Sequence, residues 1–204
     1  MNNRDRLFEI ADRQQGYFTS QQATKCGYSR TNFHRHITSG EWIKEQRGIY
    51  RLVHYPITSH PDLVLWSLWS RNIKGKVQGV WSHETALEIH ELSDVMPAKM
   101  HMTVPKKFRK WTNIPKNLVL YFADLSDIDI ITQQGYLVTK PLKTIIDIIK
   151  EGKLSEDLIV QAIRDALQKG LVSHKELNEV ISYKTDAKLY TNNLKNREYD
   201  KEAP

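Results

Sequence analysis

The chain has 204 residues, a formal charge of +6, 40% hydrophobic and 26% charged residues, nine glycines and seven prolines. That balance excludes fibrous, collagen-like and low-complexity classes, and the length allows one large domain or two small ones with a sizeable core. The single cysteine, Cys26, excludes an internal disulfide and a Cys-rich metal cage.

Leu7, Ile10, Ala11 and Gln14 recur at helical spacing within residues 4–15, and Gly16 follows where glycine commonly ends a helix. Thr19 and Gln22 form a capping box for a short helix to about Lys25. Gly27 permits a tight turn, and Ser29 suits the N-cap of a third helix from Arg30 to about Ser39, stopped by Gly40. Two runs of β-formers, 42–45 and 49–52, flank Gln46-Arg47-Gly48 and predict a hairpin. Helix, helix, turn, helix, wing is the order of a winged helix-turn-helix, whose third helix enters the major groove.

Phe33 and Ile37 then face inward. Ser29, Arg30, Thr31, Asn32, His34, Arg35 and Thr38 are the candidate DNA contacts of the helix, since Arg pairs with guanine edges and the shorter polar groups reach bases or phosphates. His36 is expected to pack beside Ile37. Lys44, Arg47 and Arg51 of the wing are candidates for phosphates. Charge supports this reading: residues 1–55 carry nine basic and five acidic groups, and 99–117 carry six and none. The second stretch (Lys99, Lys106, Lys107, Arg109, Lys110, Lys116), interleaved with Phe108 and Trp111, is a candidate second basic patch, equally readable as a solvated loop.

Pro56 and Pro61 mark residues 54–61 as a linker. Pro61 opens an apolar helix with Leu63, Val64, Trp66, Leu68 and Trp69. A helix capped at Ser82, strands at 99–104 and 118–122, and a strand pair within 127–139 follow. Pro141 opens a helix carrying Ile145 and Ile148, Ser155 caps another, and Ser173 with Glu176 boxes a last one holding Leu177, Val180 and Ile181. The fold class is α+β: a winged helix-turn-helix (1–53), a linker (54–61), a mixed α/β domain with a small sheet flanked by helices (62–182), and a loosely packed tail (183–204). The longest apolar stretch, Leu63–Leu68, is far below the roughly 18 residues of a membrane helix. Met1–Arg6 lacks the apolar run of a secretory signal, so a cytoplasmic location is expected.

The blocks Phe18–Ala23, Gly27–Arg30, Phe33 with Arg35, Gly40–Ile43, Arg47–Leu52, Ser82–Leu87, Met100–Pro105 and Gly135–Asp147 resemble, in order and spacing, the successive motifs of AbiEi-type antitoxins. These are the transcriptional-regulator component of type IV toxin–antitoxin, or abortive phage infection, systems. The resemblance implies a repressor of its own operon that also opposes a co-encoded, nucleotidyltransferase-like toxin without forming a stable complex with it. It assigns the antitoxic role mainly to the second domain.

Two other classes compete with that reading. A metal-dependent nuclease would use Glu151-Gly-Lys153, but these fall at a helix end, where the side chains are expected to point into solvent. His83, Glu84, His90 and Glu91 lack zinc-site spacing, the histidines being seven apart, and a capping or core role is expected for them; His101 approaches only if a strand delivers it. No nucleotide-binding loop or nucleophile elbow is present. The expectation is a non-enzyme without cofactor or metal, with a protein-interaction module that has lost DNA binding as the remaining alternative.

Overall fold

The computed structural model describes residues 2–56, 58 and 60–182. The architecture is α+β. In chain order the elements are α1 (Asn3–Asp12), β1 (Tyr17–Thr19), α2 (Ser20–Lys25), a 3-10 turn (Arg30–Asn32), α3 (Phe33–Thr38), β2 (Trp42–Gln46), β3 (Ile49–Leu52), α4 (Pro61–Trp69), β4 (Val80–Trp81), α5 (His83–Ile89), β5 (Met100–Val104), β6 (Leu118–Phe122), a 3-10 turn (Asp127–Asp129), β7 (Ile130–Gln133), β8 (Tyr136–Thr139), α6 (Pro141–Glu151), α7 (Glu156–Gln168) and α8 (His174–Ser182). The described residues form two compact units, one of those up to Val80 together with Thr132–Leu137, the other of Trp81–Ile131 and those from Val138 to Ser182.

In the first unit α1 ends at Asp12, earlier than its periodicity suggests, because the chain turns through Gln15 and Gly16 in the left-handed region. Gly16 N donates to the Ala11 carbonyl at 2.7 Å, and a Cβ on Gly16 would lie 2.5 Å from the Tyr55 ring. The capping box of α2 forms as its residues dictate. Gln22 N donates to Thr19 Oγ1 and Thr19 N to Gln22 Oε1, at 3.2 and 2.7 Å. Sequence reading misses β1, whose three residues are all buried and show no alternation; it completes an antiparallel sheet of order β1-β3-β2. The third helix is also shorter than its expected span. Ser29 Oγ pairs with Thr31 Oγ1 instead of capping, and Asn32 N bonds the Ser29 carbonyl, so the first turn is tightened to 3-10.

The second unit holds most residues of a five-stranded sheet of order β6-β5-β4-β8-β7, in which β5 runs parallel to β6 and β4 parallel to β8. Leu87, Ile145, Ile148, Ile159, Ile163 and Leu177 are among the residues of its core. Pro141 begins α6, Ser155 precedes α7, and the Ser173–Glu176 box opens α8. Leu177 is buried as expected, whereas the side chains of Val180 and Ile181 and the expected tail, 183–204, lie outside the described residues. The two-residue β4 escapes sequence reading because its partner, Val138, is 57 positions away from Trp81.

Thr19→Val deletes one cap bond and should cost about 1 kcal/mol. Gly16→Ala adds both a left-handed alanine and a clash with Tyr55, and should cost more. Urea midpoints of the two variants test this order, and a Gly16→Ala midpoint above that of Thr19→Val would contradict it.

Candidate nucleic-acid interface

The outward side of α3 is built from the inside out. Trp42, buried on β2, lies within 4.5–6.0 Å (ring centroids) of Phe18, Tyr28, Phe33, His36 and Tyr50. These rings come from β1, the turn before α3, α3 itself and β3. Phe33 is thereby fixed inward, and its neighbours on the helix are forced outward. Ser29, Arg30, Thr31, Asn32, His34, Arg35 and Thr38 are all exposed. Thr38 Oγ1 donates to the carbonyls of His34 and Arg35, so its hydroxyl retains only acceptor capacity for a partner. His36 stacks on Trp42 at 4.5 Å and bonds Glu41 through Nδ1 at 2.8 Å, a packed residue.

The wing divides. Lys44 and Arg47 are exposed, Arg47 at the turn with Gly48. Arg51 is not available in the same way: its Nε donates to Glu45 Oε1 at 2.9 Å and only 17% of its side chain is exposed. A register shift lies between Lys44 and Gln46, beside this pair. Tyr50 faces the aromatic core, so Arg51, next along the strand, points to the opposite face, where Glu45 meets it. Arg51, expected at a phosphate, is thus engaged in an intramolecular ion pair with Glu45.

In the second unit the basic stretch is also sorted. Lys99, Lys106, Lys107, Arg109 and Lys116 are exposed and Lys110 is half-buried, but Phe108 is buried and serves as an anchor, not as an apolar contact for a ligand.

Where the sequence suggested a solvent-facing Glu151, the structure has a buried polar cluster. The Glu151 side chain is 9% exposed; it accepts from Tyr121 Oη at 2.5 Å and from Lys153 Nζ at 2.7 Å. His101 Nδ1 lies 3.1 Å from the same Tyr121 oxygen, and since that hydroxyl donates to Glu151, His101 is the donor to it. His83 stacks on Tyr121 at 3.6 Å and 10°. Thr103 Oγ1 bonds Ser82 Oγ at 2.8 Å, which is 2.9 Å from His83 Nδ1. A cleft of about 530 Å³ opens beside His83, Tyr121 and Glu151, bordered by Lys143, Asp147 and Lys150 of α6. Strand β5 does bring His101 towards His83, with ring centroids 6.4 Å apart, while His90 is committed elsewhere, to the Thr139 carbonyl at 2.7 Å. Among the described residues no three His, Cys, Asp or Glu side chains are grouped to hold a metal ion.

Burial pulls the His83 imidazole down to about 4, against the opposing pull of Asp147 and Glu151. Burial raises the Tyr121 phenol, helped by its bond to Glu151, while Lys153 and Tyr121 together outweigh the desolvation of the Glu151 carboxyl and leave it lower than usual. A histidine lowered in the folded state stabilises above its unfolded value of 6.5 and loses that contribution as pH falls towards 4. The loss is on the order of 3 kcal/mol. His83→Gln should therefore flatten the fall in thermal midpoint between pH 6.5 and 4, leaving a residual slope from His90 and His101, which burial lowers in the same direction. An unchanged slope in the variant would contradict the assignment.

Residues 5–53 match the family model described as "Transcriptional regulator, AbiEi antitoxin". No curated protein matches the chain. Among solved structures it is similar to the RV2827C protein from Mycobacterium tuberculosis, with a TM-score of 0.52 and 14% identity over 91% of this chain and 73% of that one, a likeness of fold. No described helix is long and apolar enough to cross a membrane. Over residues 5–53, the segment that builds α1 to β3 and exposes the outward side of α3, the chain is thus similar to the transcriptional regulators of the AbiEi antitoxin family.

Proposed function

We propose that this protein is a DNA-binding transcriptional repressor of its own operon and the antitoxin of a type IV toxin–antitoxin, or abortive infection, system. The observation that carries the reading is the outward side of α3 and its preceding turn. It displays Arg30, Thr31, Asn32, His34, Arg35 and Thr38 with no acidic residue among them, beside the exposed Lys44 and Arg47 of the wing. The match of residues 5–53 to a family of transcriptional regulators supports the same conclusion. In this reading residues 1–53 are the DNA-binding module and residues 62–182 the antitoxin-type domain. Arg30 and Arg35 read base edges, Ser29 and the shorter polar groups contact bases or phosphates, and Lys44 and Arg47 hold the backbone. Arg51 serves the sheet through Glu45. The DNA partner is the operator upstream of the operon, and the functional partner is a co-encoded nucleotidyltransferase-like toxin that is opposed without a stable complex. The protein acts in the cytoplasm and not as an enzyme.

Titration of labelled upstream DNA and a scrambled control, at several salt concentrations with and without magnesium, tests the reading. Arg30→Ala or Arg35→Ala should cost about 1–3 kcal/mol for the operator and relax base preference. Arg47→Ala should weaken all sequences alike and lower the salt slope by about one, whereas Arg51→Ala should leave the slope unchanged. Equal binding of operator and scrambled DNA would sink the repressor assignment. Magnesium-dependent cleavage would replace it with a nuclease, and the absence of any salt-dependent binding would leave a protein-interaction module.

A further inference from the structure

Because β5 and β6 are parallel, the chain must return along a whole strand between Val104 and Leu118. Residues 105–117 make that return without a helix. The segment is pinned at its start. Phe108 is 4% exposed, its N donates to the Pro105 carbonyl at 2.8 Å, Arg109 Nη1 donates to the Phe108 carbonyl at 2.8 Å, and Lys106 N donates to Asp124 Oδ1 at 3.2 Å. Beyond the pin, Trp111 stands fully in solvent at 102% exposure, while the other four tryptophans, Trp42, Trp66, Trp69 and Trp81, are buried. The segment carries Lys106, Lys107, Arg109, Lys110 and Lys116 and no acidic residue. Lys106, Lys107, Arg109 and Lys116 are exposed and enter no ion pair among the described residues.

We propose that the 105–117 loop binds an unpaired nucleic-acid strand, with Trp111 stacking on a base and the surrounding cations on the phosphates. A duplex presents only base edges and phosphates, because its base faces are already stacked. An indole held clear of the protein therefore gains most from a base whose face is open, and every base has one. The positive charge of the exposed Lys106, Lys107, Arg109 and Lys116 selects a polyanion over an apolar protein groove. The site lies apart in sequence from the helix read as the duplex contact and does not depend on that reading.

The four buried tryptophans make Trp111 the iodide-accessible tryptophan of the described chain, so binding can be read at the residue itself under tryptophan-selective excitation. The full-length protein is titrated with single-stranded oligo(dT), oligo(rU), a duplex of equal length, and phosphatidylserine–phosphatidylcholine vesicles, with iodide quenching followed throughout. Oligo(dT) or oligo(rU) should protect Trp111 from iodide; a preference between them identifies DNA or RNA as the strand. Trp111→Ala should weaken oligonucleotide binding about 5- to 100-fold, Trp111→Phe should recover part of it, and Lys106→Ala with Lys107→Ala should lower the salt slope by about 1.4. Arg30→Ala with Arg35→Ala should leave it unchanged, which separates failure here from failure of operator binding. Protection by duplex equal to that by single strands, protection by vesicles alone, or none at all would each overturn the proposal.

Discussion

The contact on which the DNA-facing surface depends is the edge and face packing around Trp42. Five rings from four different segments converge on this one indole. Ring pairs of this kind add to the area they bury and prefer defined angles, so they fix orientation as well as proximity. Phe33 and His36 place the rotation of α3, Phe18 ties it to β1, and Tyr50 ties it to the wing. A six-residue α-helix has little stability of its own. The geometry of its outward side is therefore set by the aromatic core beneath it, and loss of Trp42 would release α3 and the wing together.

The parts legible in the sequence are those whose causes are local. The boxes at Thr19 with Gln22 and at Ser173 with Glu176 could be read because each closes within four residues. Pro61 and Pro141 mark the starts of α4 and α6 for the same reason. The hairpin 42–52 is legible as an element, but its bulge is not. No residue type at 44–46 announces it, nor the bond that Arg51 makes to Glu45 beside it. The strands β1 and β4 owe their existence to partners far along the chain, Ile49–Arg51 for β1 and Val138 for β4, so three or two residues in isolation carry too little pattern to reveal them.

Glu151 shows the same limit where chemistry is concerned. A carboxylate at the last turn of a helix, followed by glycine, reads as solvated, and the glycine does sit in the left-handed region. What draws the side chain inward is Tyr121, thirty positions earlier, whose hydroxyl also receives His101. The result is a connected set, from His101 through Tyr121 and Glu151 to Lys153, in which one charge is compensated by another and the intervening donors are used. His83 lies against the Tyr121 ring with its backbone at φ +52°, a conformation uncommon for a residue with a Cβ and held here by the surrounding packing. Histidine spacing in the sequence has no zinc-site pattern, and it gives no sign of this cluster either.

The basic stretch at 99–117 separates what topology requires from what composition offers. Parallel pairing of β5 and β6 demands a long return, and a helix packed on the sheet would have buried an apolar face. This return instead spends one aromatic residue, Phe108, on anchoring and leaves the other, Trp111, outside. A loop whose only task was to connect two strands would gain by burying its indole or by replacing it with a polar residue, since an exposed tryptophan forgoes the largest apolar burial any side chain has to offer. Together with a run of cations that meets no acid within it, the exposed ring gives the loop the chemistry of a surface completed by a partner. It differs in kind from the arginine, histidine and short polar groups of α3: one suits edges and phosphates, the other an open base face.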